Sequence, residues 1–157
     1  MICFHSPEDP YNWLSNWYFS DFVIDGFKYS SMEQFMMHQK ALLFKDSCIA
    51  EKIMKTSDFK KIKSLGRKVQ NFKESVWVQN REIIVIKGLT AKFTQNEDLK
   101  ELLLNTGDET LVECAVKDKI WGIGLSLSDE KRLDQTKWKG QNLLGNCLMA
   151  VRSTLRK

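Results

Sequence analysis

A carboxylate and an amine stand at helical spacing between Ser30 and Phe44. Glu33, Met36, Met37 and Lys40 fall at i, i+3, i+4 and i+7, which places them on one face of a helix. If that methionine stripe lines a pocket, loss of water lowers the Lys40 pKa and makes its amine a nucleophile or Schiff-base former, with Glu33 as acid, base or cation stabiliser. Plainer explanations exist for both. Glu33 is the N3 residue of a Ser30-x-x-Glu33 capping box, and most lysines on amphipathic helices lay their stems on the surface with the charge in water. Taken from pattern alone, the plainer explanations win.

Three further clusters carry chemical potential. Glu113, Asp118, Trp121, Gly122 and Gly124 set two acids around short strands, then an indole and two glycines, so a planar group can stack while bare backbone approaches a ligand. Ordinary turn chemistry explains Asp118 and the glycines equally well. The run Gly140-Gln141-Asn142-Leu143-Leu144-Gly145 opens the last helix, where free N–H groups and the dipole make an anion seat; its alternative is Asn142 as an N-cap and Gly145 as a point of close packing. Ser15, Asn16, Trp17 and Tyr18 are suited to a base or ribose, although such aromatics more often fill core. His5 and His38 have no neighbours that complete a metal set and are poor ligands. No GxSxG, Walker or Rossmann fingerprint is present.

These side chains need elements to hold them. With 157 residues, 43% hydrophobic, the chain has apolar mass for its own core and is neither disordered nor fibrous. No linker or low-complexity tract interrupts it, so a single domain over residues 1–157 is expected. Phe22-Val23-Ile24, Asp25-Gly26 and Phe27-Lys28-Tyr29 predict a two-residue hairpin, because Asp-Gly supplies the positive φ of a type I′ turn. Helices are predicted over Ser30 to Phe44, Ser47 to Lys55, Ser57 to Leu65 with Thr56 or Ser57 as cap, Asp98 to Leu104 and Asn142 to Leu155. A long helix over Lys73 to Phe93 is expected despite the β-branched run Ile83 to Ile86, with Trp77, Ile84 and Leu89 on its buried face. Leu111 to Val116 and Lys119 to Trp121 read as short strands, and the start of the chain as irregular and aromatic. The expected fold class is α+β, dominated by helices.

Charge and cysteine usage bound the remaining classes. Twenty-four Lys and Arg oppose 20 Asp and Glu, giving +4, with the excess in Lys52, Lys55, Lys60, Lys61, Lys63, Arg67 and Lys68. A solvated helical face is the ordinary explanation of that run, and a weak field for phosphates or a nucleic-acid backbone is the functional one. No apolar run approaches the roughly 20 residues of a membrane span, and no signal segment is visible. Cys3, Cys48, Cys114 and Cys147 form no CxxC pair, so free thiols in a reducing cytoplasm are expected, without a metal site.

Taken in order, the clusters resemble the NADAR family, also called YbiA-like, along nearly the whole chain. The matching segments are LSNWY (14–18), FVIDGFKYSSMEQFMMHQKA (22–41), LGR (65–67), VW (76–77), KFTQNEDLKELLLNTGDETLVE (92–113), DKIWGIGL (118–125) and WKGQNLLGNCLMAVR (138–152). Several separate motifs in the right order are far more specific than any one of them.

The resemblance implies an N-glycosidase that breaks the bond from ribose C1 to the nitrogen of a base-like group. Two substrate classes follow from it: ADP-ribose on guanine, in DNA, RNA or free nucleoside, and the ribosylaminopyrimidine phosphates of riboflavin synthesis. A reader of NAD or ADP-ribose groups without turnover is the non-enzymatic alternative. Glu33 matches the family's helix-borne glutamate, Lys40 its lysine, Trp77 its long-helix tryptophan, and Asp118 and Trp121 its acid and aromatic before the glycines. One departure stands out, since many members carry histidine straight after the glutamate and this chain has Gln34. Catalysis is expected from Glu33, Lys40 and Asp118, either by a Lys40 Schiff base, which is favoured, or by direct water attack. Phosphate binding is expected from Arg67, Asn142 and the backbone of Gly140 to Gly145. No cofactor is implied, and both a magnesium ion bridging substrate phosphates and the oligomeric state are left open.

Overall fold

In a computed structural model that describes residues 1–157, the chain forms four short strands and six helices. The strands are β1 (Ile2–Phe4), β2 (Phe22–Ile24), β3 (Phe27–Tyr29) and β4 (Leu111–Glu113); the helices are α1 (Met32–Leu43), α2 (Ser47–Met54), α3 (Phe59–Arg67), α4 (Glu74–Thr94), α5 (Glu97–Asn105) and α6 (Leu143–Leu155). The fold class is α+β and predominantly helical, as expected. The chain divides into two units, one made of Phe19–Asn96 and the other of Met1–Tyr18 with Glu97–Lys157. No helix is long and apolar enough to cross a membrane.

The contiguous unit begins with the predicted hairpin. Asp25 and Gly26 hold φ of 53° and 82°, the paired positive values of a type I′ turn, and Phe22 pairs with Tyr29 and Ile24 with Phe27. Helix α1 then starts one residue later than the expected capping box. Ser31 is the N-cap and accepts from the Gln34 N–H at 3.2 Å, while the Gln34 carbonyl oxygen accepts from the Ser30 N–H at 2.9 Å. Both Ser30-x-x-Glu33 and Ser31-x-x-Gln34 satisfy the pattern. An amide wins because it also donates, to the carbonyls of Ile53 (3.2 Å) and Thr56 (3.0 Å) at the end of α2. The side-chain role at the cap thus falls to Gln34. Helix α3 is likewise capped by Asp58, not by Thr56 or Ser57, since its carboxylate accepts two N–H groups, from Lys60 (2.9 Å) and Lys61 (3.2 Å).

The β-branched Ile83 to Ile86 lies inside α4, as expected. Of that run only Val85 joins the buried helix-period stripe of Trp77, Arg81, Val85, Gly88 and Leu89, whereas Ile84 is half-buried and Ile83 and Ile86 are exposed. This stripe faces α1: a Cβ on Gly88 would collide with the Phe35 ring and the Met32 methyl. Rings of Phe22, Tyr29 and Phe35 close the core, and buried His38 is satisfied by the Tyr29 hydroxyl at 2.7 Å.

In the discontinuous unit, β1 and β4 pair in parallel, Ile2 with Leu111, Cys3 with Val112 and Phe4 with Glu113. Strand β1 falls where an irregular start was expected, while β4 ends at Glu113 and Lys119 to Trp121 forms no strand. Three residues without alternation give β1 no local signal, and its partner lies over a hundred residues away. Residues 119–122 instead supply carbonyls: Lys119, Gly122, Ile120 and Trp121 accept from the N–H groups of Gln141, Asn142, Leu143 and Leu144 at 2.9–3.2 Å. Val112, Cys114, Ile123 and Leu125 form a core with Cys3, Leu127 and Trp138 packed on it.

Candidate active site

The Lys40 cluster is built within the contiguous unit. Glu33, Met36 and Met37 are all buried, and Lys40 is half-buried at the end of the same face. The Lys40 Nζ sits 4.6 Å from the centroid of the Phe72 ring and 5.7 Å from that of Trp77, so α4 and the turn before it wall the amine with aromatic surface. Burial lowers the Lys40 pKa, the Glu33 charge opposes that fall, and the Arg67 charge adds to it. The expected side chains Glu33, Lys40, Arg67 and Trp77 therefore belong to one electrostatic neighbourhood. Such an amine carries more of its neutral, nucleophilic form than a surface lysine, with a buried carboxylate on its own helix face to take up or return a proton. A polar recess of about 330 Å³ opens elsewhere on this unit, bordered by Asp21, Lys28, Gln34 and Ser57, and includes neither Glu33 nor Lys40.

Arg81 escaped the sequence reading. It lies one turn beyond Trp77 on the buried stripe of α4 and is only 8% exposed, and its Nε is sealed without a hydrogen-bond partner. The available signal was its spacing, an arginine four residues after Trp77 where the stripe calls for an apolar side chain.

A second cluster lies in the discontinuous unit. Glu113 is buried, its Oε1 lies 3.1 Å from His5 Nδ1, and its Oε2 is sealed without a partner. Burial raises the Glu113 pKa, His5 opposes that rise, and Asp118 and Asp9 add to it; the Glu113 contact in turn raises the His5 pKa. Glu113 thus keeps its proton to higher pH than an ordinary carboxyl and suits a general acid. Pairing of Phe4 with Glu113 brings His5 there, which no local pattern around His5 reveals. Asp118 Oδ1 accepts from the N–H groups of Ile120 and Trp121, both at 2.9 Å, so this carboxylate shapes the turn that presents half-buried Trp121. In the 15–18 segment, Ser15 Oγ accepts from the Trp17 N–H at 3.0 Å, Trp17 is exposed, and Asn16 is buried with Oδ1 unpartnered.

The expected anion seat at the start of α6 is taken up by the protein itself. Its N–H groups from Gln141 to Leu144 donate to residues 119–122, as described above. Asn142 is 1% exposed with φ of 54° and makes no cap bond; its amide instead accepts from the Glu113 N–H (3.0 Å) and donates to the Leu111 carbonyl (2.9 Å). Gly122, Gly140 and Gly145 allow the close backbone approaches of this knot, where a Cβ on Gly145 would strike the Leu111 carbonyl, and Gly124 holds a positive φ of 72°. Gln141 is exposed.

Comparison with known proteins agrees with this architecture. A family model described as the NADAR domain matches residues 3–156. A protein named N-glycosidase R617, of Acanthamoeba polyphaga mimivirus, is 48% identical over 80% of this chain and 74% of its own length. N-glycosidase YbiA of Shigella flexneri is 31% identical over 99% of this chain and 88% of its own, and the riboflavin biosynthesis protein VVA0006 of Vibrio vulnificus is 30% identical over 99% of this chain but 39% of its own. The NMR structure of the E. coli protein YbiA superposes with a TM-score of 0.81 at 31% identity, covering 99% of this chain and 84% of that one.

Proposed function

The chain belongs to the NADAR family, which has N-glycosidases among its members, and from that premise we propose that it is a hydrolase cleaving the bond between the ribose of ADP-ribose and a guanine base. The observation that carries the reading is the Lys40 amine, desolvated between Phe72 and Trp77 on the helix face that bears buried Glu33. Binding alone requires no such pairing.

The neutral Lys40 amine adds to ribose C1 as the bond from C1 to the base nitrogen breaks. Glu33 in its acid form gives the departing base its proton, takes up the surplus proton of the amine, and hands that proton on to the ring oxygen as the sugar opens. Opening of the bond from C1 to the ring oxygen leaves a Schiff base between C1 and Nζ. Water then adds to C1, the amine departs, and the sugar recloses. In the competing route Glu33 activates water directly against an oxocarbenium-like centre. Trp77 walls off the ribose in either route. Asp118 and Trp121 enter the proposal on the resemblance alone, as acid and stacking face. Exposed lysines on α2 and α3 suit an ADP-ribosylated DNA or RNA substrate, and cysteines held outside any disulfide suit a reducing cytoplasm.

Incubation with ADP-ribosylated guanosine and mass detection of released guanine tests the reaction, and borohydride trapping tests the route. A covalent adduct formed by the wild type and absent from Lys40→Ala supports the Schiff base; full turnover by Lys40→Ala overturns it. One relative's name, riboflavin biosynthesis protein, favours a second substrate. Release of base from the ribosylaminopyrimidine phosphate, with none from the guanosine adduct, would make that the substrate.

A further inference from the structure

Helix α4 carries a buried cation with no partner in the chain. Arg81 is 8% exposed, its Nε is sealed without a hydrogen bond, and none of the chain's ion pairs includes it. A sealed N–H with no acceptor is disfavoured, and a ligand oxygen reaching that edge of the guanidinium satisfies it. The position of Arg81 on α4 indicates where that oxygen sits. On the same face Trp77 meets the Lys40 amine, and eleven residues on Gly88 meets Met32 and Phe35, so α4 runs antiparallel to α1 with this face turned to it. Arg81 lies between those levels, about 6 Å along the helix from Trp77. Arg81 thus lies one turn from the Trp77 that meets Lys40, on the α1-facing side of α4, while the Arg67 and Glu33 charges act on Lys40 itself. Positive charge is in excess, and the planar fork of a guanidinium matches the oxygens of a phosphate.

We propose that Arg81, with Arg67, forms an anion site beside Lys40 that takes a phosphate of the substrate and so fixes the ribose C1 against the amine. This rests on the hydrolase reading for the identity of the anion, because both substrate classes carry phosphate on the ribose. It also relocates phosphate recognition from the start of α6, whose donors are occupied, to the face of α4.

Titration calorimetry with ribose 5-phosphate and with ribose tests the site without turnover. The wild type binds the phosphate form at least about tenfold more tightly than ribose, and Arg81→Met loses about 10- to 100-fold of that affinity, the range of a charge-assisted contact. Arg81→Lys keeps the charge without the fork and falls between. Inorganic phosphate raises the melting temperature of the wild type and leaves that of Arg81→Met unmoved. Should Arg81→Met fail to fold, Arg67→Gln, altered at an exposed position, carries the test through its own loss of ribose 5-phosphate affinity. Equal binding of ribose and ribose 5-phosphate by the wild type overturns the proposal, as does wild-type affinity in both variants. Phosphate-dependent binding with no base released from either substrate supports the anion site and refutes the hydrolase reading, so the two failures are distinguishable.

Discussion

Replacing Asn142 with alanine tests the assignment of this residue to the fold rather than to substrate. Its amide is 1% exposed and makes two bonds to β4, accepting from the Glu113 N–H at 3.0 Å and donating to the Leu111 carbonyl at 2.9 Å. Truncation orphans two buried backbone groups, each worth about 1–3 kcal/mol. Alanine must also hold the φ of 54°, which adds about 1 kcal/mol. Asn142→Ala is therefore expected to lose about 3–7 kcal/mol, a large share of the roughly 5–15 kcal/mol of a typical domain. At about 2–4 °C per kcal/mol for a chain of this size, the melting temperature falls on the order of 10–20 °C. Asn142→Gly relieves the backbone strain alone and recovers about 1 kcal/mol of the loss. Thermal and urea denaturation followed by circular dichroism measures all three proteins. If Asn142→Ala melts within about 3 °C of the wild type, the amide does not anchor β4 and the reasoning fails.

The pH dependence of base release reports on the Lys40 amine: the rate rises with pH along a limb whose midpoint lies below the ordinary lysine value of 10.5. Glu33 raises that pKa and Arg67 lowers it, so Arg67→Gln moves the limb to higher pH, while Glu33→Gln moves it to lower pH in whatever activity remains; movement of both in one direction would refute the coupling. Gln34→Ala removes the bonds to Ile53, Thr56 and Ser30 and is expected to lower stability by about 2–4 kcal/mol in urea denaturation, against no change if the amide is idle. The Cys114 thiol and the Arg132 charge hold the Cys3 thiol below the ordinary thiol value against the opposing effect of burial, so in a Cys48→Ser background it alkylates with iodoacetamide along a pH profile centred below that of a free thiol. A profile centred near pH 8.5, that of a free thiol, would contradict it.

Much of this was legible because local chemistry decided it. Asp25-Gly26 sets its turn by backbone preference, and the α4 stripe by period, so both were readable against the β-branched Ile83 to Ile86. The register of the α1 cap was not, because two overlapping Ser-to-acid-or-amide patterns differ only in what the end of α2 can accept from Gln34. Strand β1 depends on the pairing of Phe4 with Glu113, and the His5–Glu113 contact, 108 residues apart in the chain, follows from it. Glu33 and Lys40 were readable as a face, yet whether that face was dry depended on Phe72 and Trp77 arriving from elsewhere. Arg81 passed unnoticed for the opposite reason: an arginine inside a helix looks like surface until its burial is known.

The parallel pairing of β1 with β4 also bears on how the polypeptide is made. Residues 19–96 form a continuous block that can acquire its contacts while still attached to the ribosome. The opening strand has no mate until residues 111–113 emerge, a delay of about 5–20 s at ordinary translation rates. Throughout that interval Cys3 and Phe4 remain uncovered on a nascent chain. Slowed elongation between the two strands would lengthen that exposure, and the yield of correctly assembled protein should fall with it.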